Sequence, residues 1–265
     1  MKLACVLTRV VAGLMLLQST LGLLFRSQYR DMQWIAMTWF GNDWVALALA
    51  APLLLATVTI ASRQRTSRWL LMWLGTLAFA IYNYAFYLFG AALNTFFPLY
   101  LALVIAAAIA LLAALTSISP DSVAGSFHPH TPVRFLGGYF AFVAVSLATI
   151  WLGVWAAYIF MGRPTPVEPE AFKVVAALDT VLMVPLLAIG GVWLWQRRPW
   201  GYVIAAIAGV QASLYLSVLA VNALVFVMYG LAEPPGEFPM WGCLALATST
   251  ATGILFAHAR VGLEV

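Results

Sequence analysis

Residues 200–229 read WGYVIAAIAGVQASLYLSVLAVNALVFVMY, thirty consecutive positions without an Asp, Glu, Lys or Arg side chain. A helix needs about 20 predominantly apolar residues to cross the roughly 30 Å hydrocarbon core of a bilayer. This stretch exceeds that minimum, which implies that its helix is tilted or extends beyond the lipid. The stretch therefore predicts a transmembrane helix.

The whole chain has the same character. Of its 265 residues, 64% are apolar and only 8% are charged, whereas soluble folds carry about 25% charged residues. These proportions exclude a soluble enzyme, a secreted disulfide scaffold and a disordered tail. The net charge of +4 comes from 13 scattered basic residues that form no continuous patch. We therefore expect membrane lipids, and no nucleic acid, as partners.

Eight apolar runs have the length of a membrane span and are bounded by charged residues, Pro or Gly. They are residues 3–25, 44–62, 69–90, 97–117, 135–161, 172–195, 200–229 and 240–258. The predicted fold class is all-α, a polytopic transmembrane helix bundle of eight spans. Between the first two spans, the aromatic and charged residues from Arg26 to Asp43 predict a short helix lying in the outer interface.

The basic residues predict the orientation, because Lys and Arg are enriched in cytoplasmic loops. With a cytoplasmic N-terminus, four basic residues lie outside and nine lie inside. The inside residues are Lys2, Arg9, Arg63, Arg65, Arg68, Arg134, Arg197, Arg198 and Arg260. We therefore expect a multi-pass protein of the inner (plasma) membrane with both termini in the cytoplasm.

The two halves of the chain share an ordered set of features, which predicts an internal repeat. The paired positions are Asp43 and Asp179, Pro52 and Pro185, Trp69 and Trp200, and Tyr84 and Tyr215. This duplication would give a first four-helix unit over 1–118, a cytoplasmic connector over 119–134 and a second four-helix unit over 135–265. Chance similarity between apolar helices is the alternative. The distance from the acid to the proline also differs, nine residues against six.

A further set of positions carries a family resemblance. It consists of Arg68-Trp69, Tyr82-Asn83-Tyr84, Tyr87, Gly90, Asn94, Phe97 and Tyr100, and of Arg197-Arg198-Pro199-Trp200-Gly201-Tyr202. The pattern resembles a group of uncharacterised bacterial multi-spanning, eight-helix membrane proteins of unknown function and covers most of the chain. The resemblance implies a bacterial inner-membrane protein. It implies no activity, cofactor or site.

Asp179 is the main candidate site residue, because an acidic side chain inside a span costs about 2.5–3.5 kcal/mol on insertion scales. A carboxylate near a helix start that water reaches is the alternative interpretation. Five other polar side chains are predicted at a similar depth in the outer half of the spans. They are Gln18, Asn83, Tyr84, Asn94 and Asn222. Together the six residues predict a ligand-binding polar pocket open to the extracytoplasmic side.

The sequence contains no recognisable catalytic, phosphate-binding or zinc-protease motif, so no catalytic residue, metal ligand or cofactor is assigned. The leading hypothesis is binding or transport of a small molecule or lipid through the outer pocket. A membrane-embedded enzyme and a non-catalytic subunit of a membrane complex are the alternatives. A homo-oligomer or a membrane protein partner is compatible with each of them.

Overall fold

The computed structural model describes residues 1–64 and 66–260 and confirms an all-α bundle. Arg65, predicted inside, and residues 261–265 of the predicted second unit lie outside the described residues. Within the described residues, eight helices are long and apolar enough to cross a membrane, as in a multi-pass membrane protein. They are α1 (Lys2–Leu24), α2 (Gln33–Gln64), α3 (Ser67–Gly90), α4 (Phe97–Leu115), α5 (Val133–Met161), α6 (Pro169–Trp195), α7 (Pro199–Met228) and α8 (Phe238–Ala257).

The loops gather at two ends of the bundle, and hydrogen bonds between distant loops close each end. We call the end that carries Lys2 and the connector the basic end, and the opposite end the acidic end. At the basic end, a short helix over Pro120–Gly125 is followed by His128, whose backbone N–H donates to the carbonyl of His258 at 2.8 Å. At the acidic end, Arg26 donates to the Tyr229 hydroxyl at 2.6 Å.

Helices α3 and α7 form the centre of the bundle and are its most buried members. Gly75 of α3 allows the close contact between them, because a Cβ atom there would lie 2.5 Å from Val210 of α7. Helices α2 and α4 pack on α3, α1 packs on α2 and α4, and α6 and α8 pack on α7. Helix α5 is the least buried, with Phe142 and Val145 more than 60% exposed on its outer surface.

Glycines bring α5 and α6 into contact, because small residues let the backbones of membrane helices approach closely. A Cβ atom on Gly137 would lie 2.5 Å from the carbonyl oxygen of Gly191, and one on Gly191 would lie 2.7 Å from the carbonyl oxygen of Gly137. The two backbones therefore touch at a level where neither helix has a side chain.

The start of the second span differs from the prediction. A separate interfacial helix over Arg26 to Asp43 and a span beginning at residue 44 were wrong, because one helix runs from Gln33 to Gln64. No proline interrupts residues 33–51, and the polar residues near Asp43 are buried against neighbouring helices instead of ending the helix. Asp43 is consequently a residue of the bundle interior.

A proline widens one turn in α2 and one in α6. Residues Ala46–Ala50 of α2 and Asp179–Met183 of α6 adopt π-helical turns, and each segment ends two residues before a proline. A proline ring inside a helix collides with the carbonyl four residues earlier. For Pro52 and Pro185 that carbonyl is the central one of each widened turn, so the extra residue per turn relieves the collision.

Candidate functional site

Asp179 lies at the start of the widened turn of α6 and is 1% exposed. Its Oδ1 accepts a hydrogen bond from the hydroxyl of Tyr82 on α3 at 2.5 Å, and its Oδ2 accepts one from Nε1 of Trp151 on α5 at 2.9 Å. The ring of Tyr215 on α7 packs edge-on against Tyr82 with 4.9 Å between centroids. Four helices therefore converge on this carboxylate.

A cavity of about 570 Å³ opens beside Asp179, between α5 and α6 at the acidic end. Its walls are largely apolar and include four aromatic side chains. Glu170 and Lys173, which form an ion pair, lie at its rim. Trp151 both lines the cavity and donates to Asp179. The indole ring of Trp151 therefore lies between the cavity and the buried carboxylate.

The chemistry available at Asp179 is that of one carboxylate held by two neutral donors. Tyr82 and Trp151 fix its orientation but bring no compensating positive charge. Burying such a group without a positive partner is costly, and residues of this kind in membranes are retained mainly where they have a function. The site is suited to hydrogen bonding with a polar or positively charged ligand group. Residues 1–64 and 66–260 contain no group of three or more His, Cys, Asp or Glu side chains placed to hold a metal ion.

A second buried carboxylate, Asp43 of α2, lies inside the first four helices and is 0% exposed. Its Oδ1 accepts hydrogen bonds from the hydroxyl of Tyr87 at 2.8 Å and from Nε2 of Gln18 at 3.2 Å. Its Oδ2 accepts one from the hydroxyl of Tyr29 at 2.5 Å. Burial, and after it the nearby Asp43, raises the pKa of Tyr29 well above its ordinary value. Tyr29 therefore remains a donor at physiological pH.

The surroundings of Asp43 are tightly filled and polar. A Cβ atom on Gly22 of α1 would lie 2.0 Å from Oδ2 of Asp43, so only glycine fits there. Tyr84 stacks on Tyr87 with 5.6 Å between ring centroids. The hydroxyls of Tyr84 and Tyr100 are buried without a hydrogen-bond partner among the described residues. The cluster is an enclosed network of hydroxyls around one acid.

Three asparagines connect the two halves of the molecule. Nδ2 of Asn222 on α7 donates to Oδ1 of Asn42 on α2 at 3.0 Å, and Nδ2 of Asn42 reaches Oδ1 of Asn83 on α3 at 3.5 Å. All three side chains are buried. The arrangement is typical of amide bridges between transmembrane helices.

The coupling energy between Asn42 and Asn222 is expected to be below about 1 kcal/mol, because hydrogen bonds between membrane helices contribute about 0.6 kcal/mol on average. Asn42→Leu alone should cost more than this, since it also leaves Nδ2 of Asn222 buried without an acceptor. A double-mutant cycle of Asn42→Leu with Asn222→Leu, measured by unfolding in detergent micelles, isolates the contribution of this pair. A coupling energy above about 2 kcal/mol would contradict a purely bridging role for the asparagines.

The six residues predicted from sequence are divided among four places. Gln18 and Tyr84 lie in the Asp43 cluster, and Asn83 and Asn222 belong to the asparagine bridge. The Asn94 side chain bonds only to its own turn, donating to the carbonyl of Ala92 and accepting from the N–H of Phe96. Asp179 lies beside the cavity. The structure therefore does not gather these side chains around one pocket.

Sequence reasoning missed Asp43, Tyr82 and Trp151 as site residues. The sequence prediction placed Asp43 outside the lipid, because the predicted second span begins at residue 44 whereas α2 begins at Gln33. The repeat alignment, which pairs Asp43 with Asp179, was the signal that could have assigned it to the interior. Trp151 lies in an apolar run with several other aromatic residues, and nothing in its sequence context distinguishes it from a residue facing lipid.

Comparison of the chain with known protein families, curated proteins and solved structures gives no match. Its function is therefore inferred from the geometry of the site.

Proposed function

We propose that this protein binds or transports an amphipathic small molecule or lipid, which it takes up in the cavity between α5 and α6. The observation that carries the proposal is the hydrogen bond from Trp151, a wall of that cavity, to the buried carboxylate of Asp179. A ligand in the cavity would contact the indole ring directly. It would reach the carboxylate once the indole moved.

The composition of the cavity supports an amphipathic ligand. The aromatic and apolar walls suit a hydrocarbon or ring system. The Glu170–Lys173 pair at the rim offers one charge of each sign to a polar headgroup. Trp155 and Tyr158, which also line the cavity, are 48% and 41% exposed on the surface of the least buried helix. A molecule already dissolved in the bilayer would therefore reach the cavity without leaving the lipid.

The difference between the two acidic clusters supports the cavity at Asp179 as the binding site. In the first half, α1 packs along α4 and encloses Asp43, which has three side-chain donors. In the second half, α5 has little contact with α8 and is joined to it by a hydrogen bond between Tyr139 and Thr248 at 2.7 Å. In this half the cavity between α5 and α6 lies beside Asp179.

Filling the cavity tests the proposal. Ala176 lines the cavity, and we expect Ala176→Trp to lower ligand capture about tenfold, which corresponds to about 1.4 kcal/mol of lost binding. The probe is a phospholipid with a photoactivatable group in its acyl chain, added to the purified protein in phosphatidylcholine vesicles. Crosslinked peptides are then mapped by mass spectrometry.

The matched control is Val181→Trp, which adds the same side chain to α6 at a position 68% exposed and outside the cavity. We expect the control to give the wild-type yield of crosslinks at residues 151–159 and 169–180. Crosslinks spread evenly over the exposed surfaces of α5 and α8, with the same yield in both variants, would show ordinary lipid solvation and contradict the proposal.

We also propose the predicted bacterial inner-membrane location, with the basic end in the cytoplasm, and the predicted duplication. The enrichment of Lys and Arg at one end supports the orientation. The duplication is supported by the proline-linked widened turns, which occupy corresponding places in α2 and α6. With four spans per unit, the two units would be related by an axis along the membrane normal. The α3–α7 contact is where that axis would pass.

A further inference from the structure

A second cavity, of about 530 Å³, lies at the basic end, far from the site at Asp179. It is bounded by the ends of α1, α2 and α3 and by the segment that follows α4. Its lining includes Lys2, Cys5, Arg9, Ser62, Trp73 and Ser117.

Both long cationic side chains of the cavity come from one face of α1. Lys2, Cys5 and Arg9 are three and then four residues apart, the spacing that aligns side chains along a helix. Lys2 and Arg9 are about 10 Å apart along the helix axis. No Asp or Glu is among the described residues that line the cavity. Among the described lining residues, the cavity therefore has cationic side chains and no acidic one.

These two cations are not used to hold the fold together. Over residues 1–64 and 66–260, neither Lys2 nor Arg9 has a hydrogen-bond or ion-pair partner. Other basic residues at the same end do have structural partners. Arg68 donates to the carbonyl of Ala259 at 3.0 Å, and Arg197 donates to that of Pro129 at 3.3 Å. Enrichment of basic residues on one side of the membrane explains their presence but not their position around a cavity.

The rest of the cavity offers an apolar surface beneath the charges. Val6, Leu70 and Ile118 contribute aliphatic walls, and the buried ring of Trp73 contributes an aromatic one. Nε1 of Trp73 donates to the hydroxyl of Thr8 at 2.9 Å, which fixes the ring in place. A positive rim above apolar walls matches a phosphate group attached to acyl chains.

We propose that this cavity binds a phosphate group, held between Lys2 and Arg9, and that the phosphate belongs to an anionic phospholipid. Basic pockets between transmembrane helices bind anionic lipid headgroups, and each Lys or Arg near the membrane surface strengthens such binding. Arg can donate two parallel hydrogen bonds to a phosphate, and Lys acts as a compact positive charge. The inference is independent of the ligand proposed for the cavity at Asp179.

The test measures lipid binding to the full chain, purified in neutral detergent with its tag at the C-terminus. Phosphatidylglycerol, phosphatidylcholine and inorganic phosphate are added separately and followed by native mass spectrometry and thermal unfolding. We expect phosphatidylglycerol to bind more tightly than phosphatidylcholine. Lys2→Gln combined with Arg9→Gln should weaken its binding by on the order of tenfold or more.

Two variants separate a specific site from surface charge and from misfolding. Arg134→Gln combined with Arg198→Gln removes the same charge from the same end but outside the cavity and should bind phosphatidylglycerol like the wild type. Lys2→Arg combined with Arg9→Lys keeps both charges and should retain binding.

The remaining outcomes also decide the proposal. An equal loss of binding in both glutamine pairs, or equal affinity for phosphatidylcholine and phosphatidylglycerol, would overturn it. A stabilisation by inorganic phosphate that requires Lys2 and Arg9 and matches that of the lipid would support the phosphate site and assign it to soluble phosphate.

Discussion

Replacing Gly191 with alanine is expected to lower the free energy of unfolding by about 3 kcal/mol, the upper part of the usual range for overpacking a filled interior. The added Cβ atom would lie 2.7 Å from the carbonyl oxygen of Gly137 and 2.8 Å from the backbone nitrogen of Ala141. Both contacts are with the backbone of α5, which cannot rotate away as a side chain can. Since α5 and α6 also form the walls of the cavity beside Asp179, we expect the same variant to weaken ligand capture there.

Gly153→Ala is the matched control, because a Cβ atom at this position of α5 has no neighbour within 4 Å. Alanine is preferred to glycine inside a helix, so the control should gain about 0.5 kcal/mol. Both variants are measured by thermal and denaturant unfolding in detergent micelles. Equal stability of the two variants would show that α5 and α6 do not touch at Gly191.

Replacing Asp43 with alanine is expected to cost about 3 kcal/mol or more. The variant leaves the buried hydroxyl of Tyr29 and one N–H of Gln18 without an acceptor. The Tyr87 hydroxyl loses the nearer of its two acceptors and keeps the carbonyl of Trp39 at 3.1 Å. Each buried donor left unpaired costs about 1–3 kcal/mol. The loss is read as a lower unfolding midpoint, and Asp43→Asn, which keeps one acceptor oxygen, should recover part of it.

Asp121→Ala on the exposed connector helix serves as the control for removing a carboxylate and should leave the unfolding midpoint unchanged. Asp179→Ala should be less destabilising than Asp43→Ala, because Asp179 has two donors instead of three. If Asp43→Ala unfolded at the wild-type midpoint, the prediction that Asp43 stabilises the fold as a buried hydrogen-bond acceptor would be wrong.

Hydropathy was sufficient to predict the architecture. Apolar runs long enough for a bilayer gave all eight helices in their order, because lipid leaves a spanning segment no alternative to a helix. Helix ends were harder to predict. Asn42 and Asp43 look like the polar end of a span, and only the partners supplied by α1, α3 and α7 show that they are interior.

The candidate site was predicted in part. Asp179 was identified because an acid inside a span is costly, an argument that needs only the sequence. Its partners Tyr82 and Trp151 lie on α3 and α5, and which faces of those helices turn towards α6 depends on how the bundle packs. The cavity depends on the same packing, since the separation of α5 from α6 at one end leaves no trace in the sequence.

The widened turns caused by Pro52 and Pro185 divide α2 and α6 each into two helical segments, with a bend point between them. Asp179 is part of the widened turn of α6, and Asp43 lies three residues before the widened turn of α2. Tyr82 and Tyr87, which donate to Asp179 and Asp43 respectively, lie on α3, which has no widened turn. Bending α2 or α6 at its widened turn would therefore move the acid away from the tyrosine hydroxyl on α3. The same motion that bends the helix would break the hydrogen bond to its carboxylate.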